Sequence, residues 1–424
     1  MKSLFFDVSI PRILATKILS KVYPGIYYSP ISPVRYKKLP DPGLPGPNWV
    51  RVETIAAGIC GTDLGMFYVQ ASPAISIAAL PSMPRVFLGH EAVGRVVEKG
   101  GGATDFDVGD RVILQKYLAC CSIIEMDPPC NYCREGNYTL CTNFSRGSLP
   151  KNLGAGFGDQ FVAHKTQLLK VPDDMTDDAA VLVEPAAVGV HAVLKRKPEK
   201  GEAVLIVGAG TVGLMVIQAA KAIEPGCRIY LMETMAFKKE LGLSLGADEV
   251  LDGDPYEAVS KATGAFLYRG PLKNTTMLGG FDLVYDCVGH TDTIHHCLRW
   301  LKAGGDYVMV GNQLYPMTFD HTPVWQQELR IIGVNAHGQE DFQGKKQSSF
   351  EMAMEMIRDG RIRVAGFITH RFPMEAYRSA FGKYRDKKEN TIKVVLENRG
   401  NQSYERGNGV GPRSETGSGQ DNTL

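Results

Sequence analysis

The chain has 424 residues, 44% of them hydrophobic and 22% charged, with a formal net charge of +1. That length favours two domains over one, and the composition is that of an ordinary globular protein. So even a charge balance gives no reason to expect nucleic acid or an anionic membrane as a partner. No apolar run reaches the roughly 18 residues of a bilayer span. In residues 1–26, Asp7, Pro11, Arg12 and Lys17 interrupt the apolar patches, and no small-residue cleavage site follows. This stretch reads as an N-terminal extension and not as a signal peptide, so a cytoplasmic location is expected.

The next segments, "NWVRVETIAAGIC", "HEAVGRVVEKG" and "GDRVILQ", are short, alternating and bounded by Gly and Asp. They predict a compact β-rich domain, placed at residues 27–189. Nine cysteines, an odd count without an export signal, argue against a disulfide framework. Cys120, Cys121, Cys130 and Cys133 fall close together and Cys141 follows, which reads as a metal-binding lobe at about 120–145. "GICGTDL" offers Cys60, Thr62 and Asp63, and "FLGHEAVG" offers His90 and Glu91. In "LVEPAAVGVHAV", Glu184 stands among apolar residues. Either it faces water at a helix start, with Pro185 at the first helical position, or something compensates its burial. Cys60, His90 and Glu184 supply the three N, S or O ligands of a catalytic zinc site with one open position.

"EAVLIVGAGTVGLMVIQAAKAI" places a strand, then Gly208, Gly210 and Gly213, then a helix. In that order G-x-G-x-x-G is a dinucleotide-binding turn, with Thr211 and Val212 between the glycines at the helix start. The next strand, "RIYLME", ends at Glu233, where an acid accepts from the adenosine ribose hydroxyls and repels a 2′-phosphate. NAD is therefore favoured over NADP, and Lys238 is a further cofactor contact. Helix and strand patterns alternate through "AFKKELGLSLGA", "DEVLD", "FDLVYDCVG", "TDTIHHCLRWLKAGG", "DYVMVG" and "LRIIGVN", with no clear pattern at 253–280. The fold class is α/β, a doubly wound parallel sheet over 190–335 joined to the β-rich domain. "FEMAMEMIRDG", "AYRSAFGKYRD" and "TIKVVLE" predict two helices and a strand that return to the first domain over 336–398. Residues 399–424, rich in Gly, Ser and Asn, read as a disordered tail. "GKKQ" and "RDKKEN" read as solvated loops, His295 and His296 as helix-surface or packing residues, and Cys227, Cys287 and Cys297 as core.

The ordered set "GICGTD", "GHEAVGRVVEKG", "VGDRV", "CNYCREGNYTLC", "VEPAAVGVHAV" and "VLIVGAGTVG" resembles the zinc-containing medium-chain dehydrogenases/reductases, the alcohol and polyol dehydrogenase group. The resemblance spans about residues 27–398 and implies a GroES-like catalytic domain beside a Rossmann domain. It implies a catalytic zinc on Cys60, His90 and Glu184, with Glu91 able to enter or leave the coordination sphere. Thr62 would relay the substrate proton, and Asp63 would orient the zinc-bound histidine. The Glu-Pro pair at 184–185 is nearest to sorbitol, glucose and threonine dehydrogenases. The implied activity is hydride exchange between an alcohol or carbonyl substrate and NAD, in a homodimer or homotetramer. A structural zinc is implied on Cys130, Cys133 and Cys141. Its usual first position is Asp127 here, so the fourth ligand is Cys121, then Cys120, then Asp127 in order of preference. Rival classes are a zinc-free quinone or enoyl reductase, which needs neither the Cys60–His90–Glu184 set nor the cysteine lobe, and a non-catalytic nucleotide-binding redox sensor. The stretch between the ligand motifs, Met66 to Arg85, is expected to flank the substrate cleft.

Overall fold

The computed structural model describes residues 1–80, 84–115, 120–144, 146, 150–385 and 390–398. The tail expected at 399–424 and most of the "RDKKEN" loop lie outside the described residues. The first half runs through β1 (Lys2–Asp7), α1 (Ile10–Leu19), β2 (Val34–Lys38), β3 (Trp49–Gly58), α2 (Gly61–Phe67), β4 (Arg85–Phe87) and β5 (Glu91–Lys99). It continues with β6 (Arg111–Leu114), α3 (Asn131–Arg134), β7 (Gln160–His164), β8 (Leu168–Lys170), α4 (Asp177–Ala180) and α5 (Val183–Lys195). The nucleotide half holds β9 (Ala203–Val207), α6 (Thr211–Ile223), β10 (Arg228–Met232), α7 (Ala236–Ser244), β11 (Glu249–Val250), α8 (Pro255–Thr263), β12 (Phe266–Arg269) and β13 (Thr275–Leu278). β14 (Phe281–Asp286), α9 (Thr291–Cys297), β15 (Leu301–Met309), α10 (Thr322–Gln326) and β16 (Arg330–Gly333) complete it. The chain ends with β17 (Gln339–Phe342), β18 (Lys345–Ser348), α11 (Ser349–Arg358), β19 (Ile368–Pro373), α12 (Tyr377–Lys383) and β20 (Lys393–Glu397).

Two sheets carry the architecture. The catalytic sheet has the order β19-β20-β3-β5-β6-β8, with β7 also on β3. Its strands are largely buried on both faces: Val50, Val52, Val96, Val112 and Phe161 fill one core with Phe67, Phe157 and Phe381, while Val93 and Ile113 belong to the core shared with the nucleotide domain. The second sheet is parallel, with order β11-β10-β9-β14-β15-β16. β9 and β14 lie at its centre, so Val204 to Val207 and Leu283 to Tyr285 are continuously buried. Strand order reverses between β9 and β14, the switch point where open α/β sheets bind ligands at the carboxyl ends of their strands.

Several expectations need revision. Residues 2–7 are not a mere extension: β1 pairs antiparallel with β2 and β4, and Leu4, Phe5 and Phe6 are buried. Three apolar residues in a row suit a strand covered on both faces, a pattern that reads equally well as an unattached apolar patch. The domain boundary expected at 189–190 falls inside α5, which packs on α6 and α11 through Ala186, Val190 and Val193. Gly189 permits that approach, since a Cβ there would sit 2.8 Å from the Met215 side chain. The return to the catalytic domain expected from residue 336 begins with contacts of residues 335–339 to Asn137, Thr139 and Gln115, and its first strand in the catalytic sheet is β19. Residues 253–280 contain α8 and the β12–β13 hairpin. The helix expected through "LKAGG" stops at Cys297, because Leu301 already pairs with Phe281 of β14. "GKKQ" belongs largely to β18, whose outer lysines face solvent as expected.

Candidate active site and cysteine lobe

β3 ends at Gly58 and delivers Cys60 to the N-terminus of α2; β5 begins at Glu91 and brings His90 beside it. Cys60, His90 and Glu91 present ligand atoms within 4.8 Å of one another. Asp63 fastens the two ligand segments together. Its Oδ2 accepts from Cys60 N at 3.0 Å and its Oδ1 from Gly89 N at 3.2 Å, and the carboxylate lies 3.8 Å from His90 Nδ1. At 1% exposure the charge of Asp63 is spent on these contacts. Thr62, at the start of α2, is exposed and free to face a substrate.

Glu184 stands half-buried in the first turn of α5 and is not part of the tight Cys60–His90–Glu91 group. It meets that group electrostatically. Burial pushes its carboxyl up to about 7, with His90 opposing and Glu91 adding to the rise. Burial alone would lower His90, but Asp63, Cys60 and Glu184 outweigh it and push the imidazole up to about 10. Three acidic groups thus converge on one imidazole, an arrangement that a divalent cation neutralises. Thiolate, imidazole and carboxylate together are a donor set that fits zinc.

One residue that sequence reasoning missed completes this site. Lys393, first in β20, donates to both oxygens of Glu91 at 2.7 and 2.5 Å and to Ile59 O at 3.2 Å. Lys393 and Glu91 are 3% and 1% exposed. Antiparallel pairing of β20 with β3, with Val395 opposite Gly58, carries Lys393 to the level of Cys60. Gly58 makes room: a Cβ there would lie 2.1 Å from Glu91 Oε2. The only sequence signal was a lysine opening a strand of otherwise apolar residues.

The glycine turn divides its labour as its spacing predicts. Gly208 has φ +90, and a Cβ would lie 2.6 Å from Val288; at Gly213 it would lie 1.9 Å from Gly208 O. At Gly210, the N-cap of α6, nothing lies within 4 Å of such a Cβ. That leaves an open approach to a helix N-terminus, suited to a pyrophosphate. Glu233 Oε2 accepts from Ala209 N at 2.8 Å, and Oε1 from Thr234 N and Met235 N at 2.6 and 3.0 Å. Burial would raise Glu233, but these N–H groups and Lys238 hold it below the usual carboxylate range. Val212 lies half-buried at the start of α6. Thr211 turns its hydroxyl to Ile392 O at 3.1 Å, next to Lys393. The glycine turn and the Cys60 group are thereby linked through two consecutive residues. From the segment between the ligand motifs, Ser72 N donates to Leu314 O at 2.7 Å, joining the catalytic domain to the loop after β15; its residues 81–83 lie outside the described residues.

In the lobe, Cys121, Cys130, Cys133 and Cys141 converge within 4.8 Å, while Cys120 and Asp127 stand outside the group. Cys141 Sγ lies 3.7 Å from Cys121 Sγ and 3.9 Å from Cys130 Sγ. A zinc tetrahedron with bonds of about 2.3 Å has sulfur–sulfur edges of about 3.8 Å, so the spacing fits. Asn143 donates from its backbone to Cys141 Sγ and from its side chain to Cys121 Sγ, both at 3.3 Å. Although burial opposes it, N–H groups of Cys133 and Thr142 push the Cys130 thiol down to about 6, toward the thiolate that a metal binds.

A GroES-like sheet, a doubly wound nucleotide domain and a Cys/His/carboxylate group between them define a zinc-type dehydrogenase. Residues 46–173 match the family model for the alcohol dehydrogenase GroES-like domain, and residues 211–349 match that for zinc-binding dehydrogenase. An L-idonate 5-dehydrogenase from Vitis vinifera is 30% identical over 333 residues, covering 77% of this chain and 81% of its own. A sorbitol dehydrogenase from Arabidopsis thaliana is 29% identical over 335 residues, with 77% and 82% covered. A solved zinc-binding dehydrogenase from Sinorhizobium meliloti 1021, bound to NADP, superposes with TM-score 0.64 at 25% identity, covering 86% of this chain and 95% of that one. The chain belongs to the zinc-containing medium-chain dehydrogenase/reductase family, in its alcohol and polyol dehydrogenase group. It is accordingly an NAD(P)-dependent oxidoreductase of alcohols, and neither the zinc-free reductase nor the redox sensor is favoured. No helix among the described residues is long and apolar enough to cross a membrane.

Proposed function

We propose that this protein oxidises a polyol or sugar-like secondary alcohol with NAD, at a zinc site built from Cys60, His90 and Glu184, with Glu91 as the exchangeable carboxylate. The observation that carries this reading is the link from Thr211 through Ile392 to Lys393 and Glu91, which sets the dinucleotide turn beside the Cys/His/carboxylate group. When bound, zinc supplies Lewis acidity toward the substrate oxygen, and NAD is the hydride acceptor. The chain's own residues do the rest. Thr62 accepts the hydroxyl proton and passes it toward solvent. Asp63 keeps the Cys60 and His90 segments in register, and Lys393 restrains Glu91. The Ser72–Leu314 contact closes one side of the cleft, which helps to exclude water.

Glu233 supports a preference for NAD over NADP, and Lys238 lies near enough to add its charge. Cys121, Cys130, Cys133 and Cys141 hold a second, structural zinc. The protein works in the cytoplasm as a homodimer or homotetramer; the exposed Trp325 and Ile331, on α10 and the edge strand β16, offer a face for a second copy. The test is NADH formation with zinc-loaded protein across polyols, aldoses, simple alcohols and amino-alcohols. Turnover confined to polyols or sugars, and lost in Cys60→Ser, is the expected result. Turnover insensitive to Cys60→Ser would refute the zinc assignment.

A further inference from the structure

After β16 the chain leaves the nucleotide sheet through residues 334–340, and this exit is bolted to the cysteine lobe. Asn137 Oδ1 accepts from Gln339 N at 2.9 Å. Thr139 Oγ1 donates to His337 O at 3.2 Å, and Asn335 Nδ2 donates to Thr139 O at 3.1 Å. Gly136, with φ +83, lets the lobe close on Gln339, whose Nε2 would lie 2.8 Å from a Cβ there. From the catalytic core, Gln115 Nε2 lies 3.1 Å from His337 Nδ1, and His191 on α5 meets Glu340 in a buried contact. The lobe itself rests on Trp49 and Val162 of the catalytic sheet.

The exit is therefore held on three sides by elements outside the nucleotide sheet. It also begins at the carboxyl end of β16, the side on which such sheets bind dinucleotides. Ala336, held at φ +54, shows that the surrounding contacts fix this backbone in a shape most residues avoid. A segment fixed in advance pays less ordering entropy when a cofactor settles against it.

We propose that Asn137 and Thr139 of the cysteine lobe are positioning residues for cofactor binding, acting through the 335–339 backbone. The lobe is then more than a stabilising staple. It transmits its own order, about one loop away, to the wall of the dinucleotide crevice. This rests on the crevice being the NAD(H) site.

The test is NADH affinity, measured by fluorescence titration of the zinc-loaded, full-length protein without substrate. Asn137→Ala/Thr139→Val should weaken NADH binding about 5-fold or more, the lower range of coupling between linked sites, with zinc content unchanged. Asn137→Asp/Thr139→Ser, which keeps the acceptor and the hydroxyl, should restore it. In turnover, the KM for NAD should rise more than kcat falls. Unchanged affinity in the Ala/Val variant would overturn the proposal, while failure of the unsubstituted protein to bind NADH would instead overturn the reading beneath it. Weaker binding accompanied by loss of zinc would also overturn the proposal, because collapse of the lobe and not the lost contacts would be the cause.

Discussion

Replacing Lys393 with Met removes a buried cation and keeps most of the side-chain volume. Lys393 makes two contacts with Glu91, at 2.7 and 2.5 Å, and both residues are almost wholly buried. Breaking such a pair from one side leaves a carboxylate without its counter-charge, which costs about 3–5 kcal/mol. The loss should be largest in metal-free protein. With zinc present, Glu91 gains a second cation to turn toward, so part of the cost is recovered while the ligand arrangement changes and kcat falls. Burial would lower the lysine's pKa, but Glu91 outweighs it and holds the ammonium above the usual lysine range. A raised folded pKa means that the stabilisation is complete below the unfolded lysine value and is lost only as pH rises through the folded one. The Lys393→Met penalty should therefore be flat across neutral pH. Denaturant melts of zinc-loaded and zinc-free protein, with Glu91→Gln and the double variant, close a cycle. A coupling of about 1 kcal/mol or more is expected, since contacting residues couple by about 0.5–3 kcal/mol. Additive effects, or a Lys393→Met variant with unaltered stability and turnover, would refute the reasoning.

Glu233→Ser should shift the ratio of kcat/KM toward NADP, by removing the charge that repels a 2′-phosphate; better use of NADP by the unsubstituted enzyme would contradict the assignment. Cys130→Ser should lower zinc by about one equivalent per chain and reduce thermal stability, because structural zinc binding is coupled to folding, as read by elemental analysis and calorimetry. Glu184→Gln keeps the shape but removes the charge, so zinc occupancy should fall and the pH profile of alcohol oxidation should move. A helix-start glutamate facing only water would cost a few tenths of a kcal/mol, about the scale of an exposed charge in the first turn, with turnover intact. In the metal-free site His90 is pushed up to about 10 and so carries a proton at neutral pH. Zinc uptake should release that proton, with affinity rising as pH rises, measurable by calorimetry in buffers of different ionisation enthalpy.

Local rules were enough for the glycine turn. Gly208, Gly210 and Gly213 sit between an apolar strand and an apolar helix: Gly208 takes a positive φ, Gly213 lies against Gly208 O, and Gly210 leaves the helix start open. The spacing of Cys130, Cys133 and Cys141 was legible in the same way. Local rules failed where the decisive partner is far away in the chain. Among Cys121, Cys120 and Asp127 the spacing left a choice, and only the folding of the lobe brings Cys121 into the four-sulfur group. Lys393 stands 302 residues from Glu91. Its meaning comes from the pairing of β20 with β3, and a short apolar strand does not announce its neighbour. Residues 2–7 looked detached for the same reason, since the value of a strand lies in what it pairs with. Glu184 shows both sides at once. Its sequence context set out the question of how a carboxylate tolerates apolar surroundings, while its answer, an imidazole, a lysine and further carboxylates gathered from distant strands, exists only in three dimensions.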